Sequence, residues 1–396
     1  MPRTSSRTTP LSRRRLLAGL GTAALGALAG CGVPAAYVRP GDRAVPDRSA
    51  ADKKLTWANW PLYIDTDDAD PDRRPTLEGF EKRTGIAVDY AEEVNDNDEF
   101  FGKISPALMN HQSTGRDLIV ISDWMCARYV HLGWVQEMDR ARQPNVARHL
   151  DPLLRSPAFD PGRRFTVPWQ SGITGIAYDR RRLGREIRRV ADLWAEDLKG
   201  RVTLLSGLDE AFALLMQGNG VDITRWTPDD FHRVCDQVER EVRRGQIRRF
   251  TGNDYTKDLV SGDVLACQAY SGDVIQLQAD NPDIRFVVPE EGGELWSDSL
   301  MIPDRARHKA NAERLVDYYY DPEVAAKLAA WVTYVCPVPA AREILAAAKD
   351  KDTAALADNP LIFPDSVLRE RLAVARDIPA AHRTEFARRW NGIVGL

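Results

Sequence analysis

Strand-like and helix-like segments alternate along this chain from Leu55 onward, which predicts an α/β protein with mostly parallel sheets. Three observations carry that reading. An amphipathic helical stretch, "TLEGFEKRTG" (76–85), is followed at once by the strand-like "IAVDYAEE". A short, uniformly apolar run, "DLIVIS" (117–122), has the composition of a buried strand. No internal repeat or long low-complexity tract interrupts the alternation, and 396 residues are enough for two lobes with sizeable cores.

The elements follow in order. The first thirty residues carry Arg3, Arg7, Arg13, Arg14 and Arg15 and no acid, then a short run of Leu, Ala and Gly, the pattern of an export signal and too short for a membrane span. "SRRRLL" (12–17) resembles a twin-arginine signal and "LAGC" (28–31) resembles a lipobox. The resemblance implies cleavage before Cys31 and a diacylglyceryl anchor on its sulfur, so residues 1–30 are a signal peptide and 31–52, rich in Pro, Ala, Gly, Arg and Asp, a flexible tether. "LTWAN" opens the folded body as a strand. Leu77 and Phe80 share a helical face that stops at Gly85. Asp96, three residues before Glu99, is placed to cap the next helix. "FTVPWQSGITGIAYD" (165–179) is extended. "DVLACQAYSGDVIQLQ" and "IRFVVPEEGGELWSDSLMIP" supply further strand–turn units, and "NAERLVDYYYDPEVAAKLAAWVTY" is helical in period but broken at Asp321–Pro322.

Composition narrows the function. The formal charge of −4 becomes −4 − 5 = −9 once the five leader arginines are removed, which argues against nucleic acid and for cationic partners. The remaining Cys126, Cys235, Cys267 and Cys336 have no metal-ligand spacing; buried thiols and disulfides both stay open. The chain has no G-x-S-x-G elbow, H-E-x-x-H, P-loop or G-x-G-x-x-G, and its six histidines are scattered singly, so neither an enzyme nor a cofactor is expected.

An aromatic residue beside a carboxylate recurs at strand ends. "VISDW" supplies Asp123 and Trp124, "AYSGD" supplies Tyr270 and Asp273, and "LWSDS" supplies Trp296 and Asp298. Ring faces carry a negative quadrupole and carboxylates a full negative charge, so together they suit an alkylammonium cation at the ends of strands, where α/β sheets bind ligands. In the opening "LTWANWPLYID", Trp57 is expected in the strand core, with Trp60 and Tyr63 at the turn lining a cleft.

In order and spacing, "NWPLY", "FEKRTGIAVDY", "DLIVIS", "FTVPWQSGITGIAYD", "ADLWAEDLKGRVTLL", "YSGD", "PEEGGELWSDSLMIP" and "VPAAR" resemble the polyamine (spermidine/putrescine) solute-binding proteins of ABC importers. The resemblance implies a two-lobed periplasmic-binding-protein-like fold (type II) with a ligand cleft between hinged lobes. We expect 53–170 plus 297–335 to form lobe 1 and 171–296 plus 336–396 to form lobe 2. It implies pocket roles for Trp60, Tyr63, Ser122, Trp124, Glu210, Tyr270, Asp273, Trp296 and Asp298, with Asp123 as a further contact. Gly207 and Ala375 stand where spermidine binders carry polar contacts, which favours a short diamine. The implied partners are a polyamine, an ABC permease and, through Cys31, the outer face of the cytoplasmic membrane; nucleic acid is not among them, and the chain is expected as a monomer. The alternatives are the same fold holding another cationic or amino-group-bearing metabolite, and an exported hydrolase.

Overall fold

The computed structural model describes residues 45–67 and 69–395. Cys31 and the leader motifs therefore lie outside the described residues. Ten strands among them form one sheet: β1 (Lys54–Asn59), β2 (Ala87–Glu92), β3 (Leu118–Ser122), β4 (Thr166–Asp179), β5 (Val202–Leu205), β6 (Ile247–Thr251), β7 (Ala266–Tyr270), β8 (Ile284–Val287), β9 (Gly293–Met301) and β10 (Leu372–Ala373). The order is β2-β1-β3-β9-β4-β7-β5-β6, with β10 on β9 and β8 on β4.

The expectation of mostly parallel sheets holds for five of the nine strand pairings, β10 with β9 among them, but not for the long pairings at the centre. The flanks are parallel (β1 with β2 and β3, β5 with β6 and β7), but the centre is antiparallel: β9 pairs with β3 and β4, and β4 with β7 and β8. Every residue of β4 is buried, so it reads as one apolar run whichever way its neighbours point. Strand direction is set by where the chain re-enters the sheet, which local periodicity does not record.

The local signals are met where they were strongest. Helix Pro75–Thr84 starts on Pro75 and ends at Gly85, whose φ of 68° is the left-handed conformation glycine adopts without steric cost. Asp96 accepts the Glu99 amide at 2.8 Å and caps helix Asn97–Met109. The long helical pattern breaks at Asp321 into helices Lys309–Tyr319 and Pro322–Val332.

Strand pleating sorts the first half of the sheet into two faces. Leu55, Trp57, Leu118, Val120 and Leu300 enter one core; Ala58, Ile119, Ile121 and Met301 enter another beneath helices Asn97–Met109 and Asp123–Leu132. Trp57 is fully buried against Tyr90, Trp169 and Tyr319, as expected of a strand-core residue. A separate core gathers β5, β7, helix Leu208–Gly218, helix Pro228–Arg243 and the C-terminal helix Ala380–Val394. Residues 336–362 pack with the first core through Cys336, Val338, Leu345 and Ile362, whereas Phe386 and Trp390 pack with the second. The four described cysteines are buried and unpaired. Among the described residues no helix is long and apolar enough to cross a membrane.

β4 and β9 join the cores. β4 contributes Val167, Trp169 and Ile173 to the first and Ile176, Ala177 and Tyr178 to the second, with β9 paired along it from Thr166↔Met301 to Thr174↔Glu294. The segment after helix Pro322–Val332 lies beside them within the first core, where Ser171 and Val335 bridge and exchange backbone hydrogen bonds; the chain reaches the second core later, through β10 on β9. The candidate site is built on β4, β9 and the segment around Val335.

Candidate ligand-binding site

Alternation along β9 puts Glu294, Trp296 and Asp298 on one face of the strand. Gly172 of β4 is the register partner of Trp296, and a Cβ at that position would run into the indole. Glycine there lets Trp296 lie across the neighbouring strand. Its ring meets Tyr270 edge-on at 5.4 Å and Tyr334 at 5.6 Å, and Tyr334 meets Tyr63 at 5.9 Å. Gly272 plays the same part for Tyr334, whose ring fills the space a Cβ would need. Four rings, contributed by the turn after β1, the end of β7, β9 and the segment after helix Pro322–Val332, form one connected wall.

Carboxylates punctuate this wall. Asp298 is buried and accepts the Ser122 hydroxyl at 2.6 Å and the Tyr63 hydroxyl at 3.0 Å. Asn97 holds Ser122 from behind, donating to its Oγ at 3.0 Å while accepting its amide at 3.1 Å. Asp273 accepts the Tyr255 hydroxyl at 2.7 Å and the Tyr334 hydroxyl at 2.6 Å. Glu210 stands in the first turn of helix Leu208–Gly218, folded back over the N-terminal Gly207 where a Cβ would collide with it. The acid missing at 207 therefore leaves the room that Glu210 uses.

Burial pushes all four carboxyls upward. Desolvation carries Asp298 to about 6 against the pull of the Ser122 and Tyr63 hydrogen bonds. It carries Glu294 to about 8, with the Glu210 charge adding to it, and raises Glu210 likewise with Asp209 adding. Asp273 is raised by burial and held back by its two tyrosine donors. None of the four has a Lys or Arg within ion-pair distance among the described residues. Four desolvated acids without an internal cation, walled by rings, form a site that a ligand carrying ammonium groups would complete.

Tyr63, Ser122, Tyr270, Asp273, Trp296 and Asp298 are joined by direct contacts, and Glu210 faces the same space, since its charge acts on Tyr270. Of the other expected contacts, Asp123 and Trp124 are engaged by arginines, while the indole nitrogen of Trp60 has no hydrogen-bond partner. Trp60 is half-buried where the first two cores meet, beyond ring contact with the wall. Asp123 binds the buried Arg163 through two bonds of 3.0 and 2.9 Å and accepts the Ser299 hydroxyl at 2.5 Å, so its charge is already neutralised. Trp124 lies under the Arg383 guanidinium, 5.2 Å from the ring centroid. Sequence reasoning missed Tyr255, Tyr334 and Glu294. Glu294 had a usable signal, since "ELWSD" carries the two-residue period that places it beside Trp296 and Asp298. Tyr255 and Tyr334 had none, lying 18 and 61 residues from the Asp273 they bond.

Comparisons with known proteins agree with this architecture. Residues 76–363 match the family model described as bacterial extracellular solute-binding protein. The spermidine/putrescine-binding periplasmic protein of Escherichia coli (strain K12) is 25% identical over 328 residues, covering 83% of this chain and 88% of that protein. The putrescine-binding periplasmic protein PotF of the same organism is 29% identical over 344 residues, covering 82% and 86%. A putative spermidine/putrescine ABC transporter protein from Listeria monocytogenes superposes with a TM-score of 0.73 at 23% identity, covering 86% of this chain and 99% of that one. PotD from Streptococcus pneumoniae superposes with a TM-score of 0.72 at 23% identity, covering 86% and 98%. The fold is thus the two-lobed, periplasmic-binding-protein-like one that the sequence led us to expect. With the family model spanning most of its length, the chain belongs to the bacterial extracellular solute-binding proteins.

Proposed function

We propose that this protein captures a polyamine outside the cell and delivers it to an ABC importer permease, acting as a binding module and not as an enzyme. The observation that carries the reading is the set of four desolvated carboxyls, the buried Glu294 and Asp298 and the half-buried Glu210 and Asp273, with no Lys or Arg at ion-pair distance among the described residues and walled by Tyr63, Tyr270, Trp296 and Tyr334. The relatives named for putrescine and spermidine support it. We take the lobes to follow the two main cores, with residues 336–362 in the first, and closure about β4, β9 and β10 as the event a permease would sense. Gly207 and the neutralised Asp123 favour putrescine over spermidine.

Anchoring through a lipidated Cys31, following a twin-arginine leader, belongs to the same proposal, as do a monomeric state and a place at the outer face of the cytoplasmic membrane. It rests on "SRRRLL" and "LAGC". Mass spectrometry of the native protein tests it: an acylated Cys31 at the N-terminus is expected, and a mature chain beginning earlier would refute the anchor.

A thermal-shift series with putrescine, spermidine, agmatine and lysine tests the ligand class, because a ligand of the folded state raises Tm with its concentration. A concentration-dependent rise with either polyamine is expected. A rise only with lysine would transfer the site to another amino-group-bearing metabolite, and no rise with any of the four would overturn the reading.

A further inference from the structure

Arg383 links the second main core to the core beneath helices Asn97–Met109 and Asp123–Leu132. It projects from the C-terminal helix Ala380–Val394, which packs in the second core through Phe386 and Trp390. Its two terminal nitrogens donate to both oxygens of Asp209, at 2.8 and 2.9 Å. Its guanidinium carbon lies 5.2 Å from the centroid of Trp124, on helix Asp123–Leu132 beside the first sheet half. The charges of Asp98 and Asp377 also act on it.

The position of this pair relative to the ligand wall is what matters. Ser122 holds Asp298 inside the site, and Trp124, two residues on, sits beneath Arg383. Glu210 faces Tyr270, and Asp209, the residue before it, is clamped by Arg383. Each group that Arg383 touches therefore lies within two residues, along the chain, of a residue of the wall. What it occupies, one ring face and one carboxylate, is the same pair of groups that the wall offers an ammonium.

Resting on the polyamine reading above, we infer that Arg383 is a resident cation filling an additional ammonium subsite formed by Trp124 and Asp209, and that it restricts the cleft to short diamines. A triamine's outer ammonium would have to displace a guanidinium held by two charge-assisted hydrogen bonds, or sit beside its like charge. A diamine satisfied by the inner carboxylates meets neither obstacle. This is specificity by an opposing element, with no added contact to the favoured ligand.

The test is calorimetric titration of putrescine and spermidine, in one buffer and salt, on the wild-type protein, Arg383→Gln, Arg383→Ala and Arg383→Lys, with Tm as the check on folding. Gln keeps much of the length and a donor to Asp209, so it is the variant that answers the question should Ala fold poorly. In Gln and Ala, spermidine affinity relative to putrescine is expected to rise tenfold or more, with putrescine affinity changed by less than about threefold. Lys, which keeps a cation, is expected to retain the wild-type ratio. An unchanged ratio in folded Gln and Ala variants would overturn the inference while leaving the polyamine reading intact. Equal loss of both ligands would make Arg383 a closure strut, and unfolding of the Gln variant would make it a structural clamp; either result overturns the inference. A wild-type protein that binds neither amine would overturn both readings.

Discussion

Ser122 and Asp298 are register partners across the antiparallel β3–β9 pair, and the Ser122 hydroxyl donates to Asp298 Oδ1 at 2.6 Å. Tyr63 donates to the other oxygen at 3.0 Å. The carboxylate is thus aimed by two neutral donors and left with its full charge, which is how a protein prepares an acid for an incoming cation.

Replacing that charge should remove much of the affinity. Asp298→Asn is expected to weaken putrescine by on the order of 2–5 kcal/mol, the usual cost of removing one partner of a buried charge pair. The exposed Asp72→Asn serves as the control and should change nothing. Calorimetry showing equal affinity in the two variants would take Asp298 out of the site.

Ligand binding should also depend on pH in a defined direction. Asp298 at about 6 and Glu294 at about 8 sit above ordinary carboxyl values because burial penalises their charged forms. The ligand-free folded state therefore holds protons more tightly than the unfolded chain. The stabilisation from these groups is complete below the unfolded carboxyl range and is lost as pH rises through about 6 and then about 8. A dication needs the ionised forms, so its affinity should climb over that same window and its binding should release protons. Titrations in two buffers of different ionisation enthalpy measure the release. Proton uptake at pH 7 would contradict it.

Gly172→Ala should damage the site while adding only one methyl group. The new Cβ falls on the Trp296 indole, which must swing away from Tyr270 and Tyr334. We expect at least a tenfold loss of affinity, about 1.4 kcal/mol, together with a lower Tm. Gly102→Ala lies in open space on helix Asn97–Met109 and should instead be neutral or stabilising, by about 0.5–1 kcal/mol. Equal behaviour of the two variants would show that the indole is free to move.

Asp123→Asn separates stability from binding. Arg163 is only 2% exposed and depends on Asp123 for its charge partner, so the variant should lose on the order of 3 kcal/mol in urea unfolding. Putrescine affinity of the folded variant should stay within about twofold of wild type, since that carboxylate is already committed. A large affinity loss would return Asp123 to the ligand site.

The α/β class, the helix boundaries at Gly85, Asp96 and Asp321, the core role of Trp57 and the acid–aromatic pattern at strand ends are all legible in the order of residues. These are local properties: a cap, a period or a turn is decided within a few residues, and the side chains involved are adjacent in the chain. Which of the patterned residues converge is a matter of how distant segments pack. Asp123 and Asp298 both follow a serine and sit within two residues of a tryptophan, in "ISDW" and "WSDS", yet Arg163, forty residues beyond Asp123, pairs with the first and leaves the second without a cation. Trp124 and Trp296 are equally exposed by the pattern, but Arg383 covers one while Gly172 makes room for the other. The antiparallel centre of the sheet and the arrival of Tyr334 beside Asp273 were hidden for the same reason. Side-chain energetics at a site depend on desolvation and on partners brought from distant segments, and neither is written in the local order of residues.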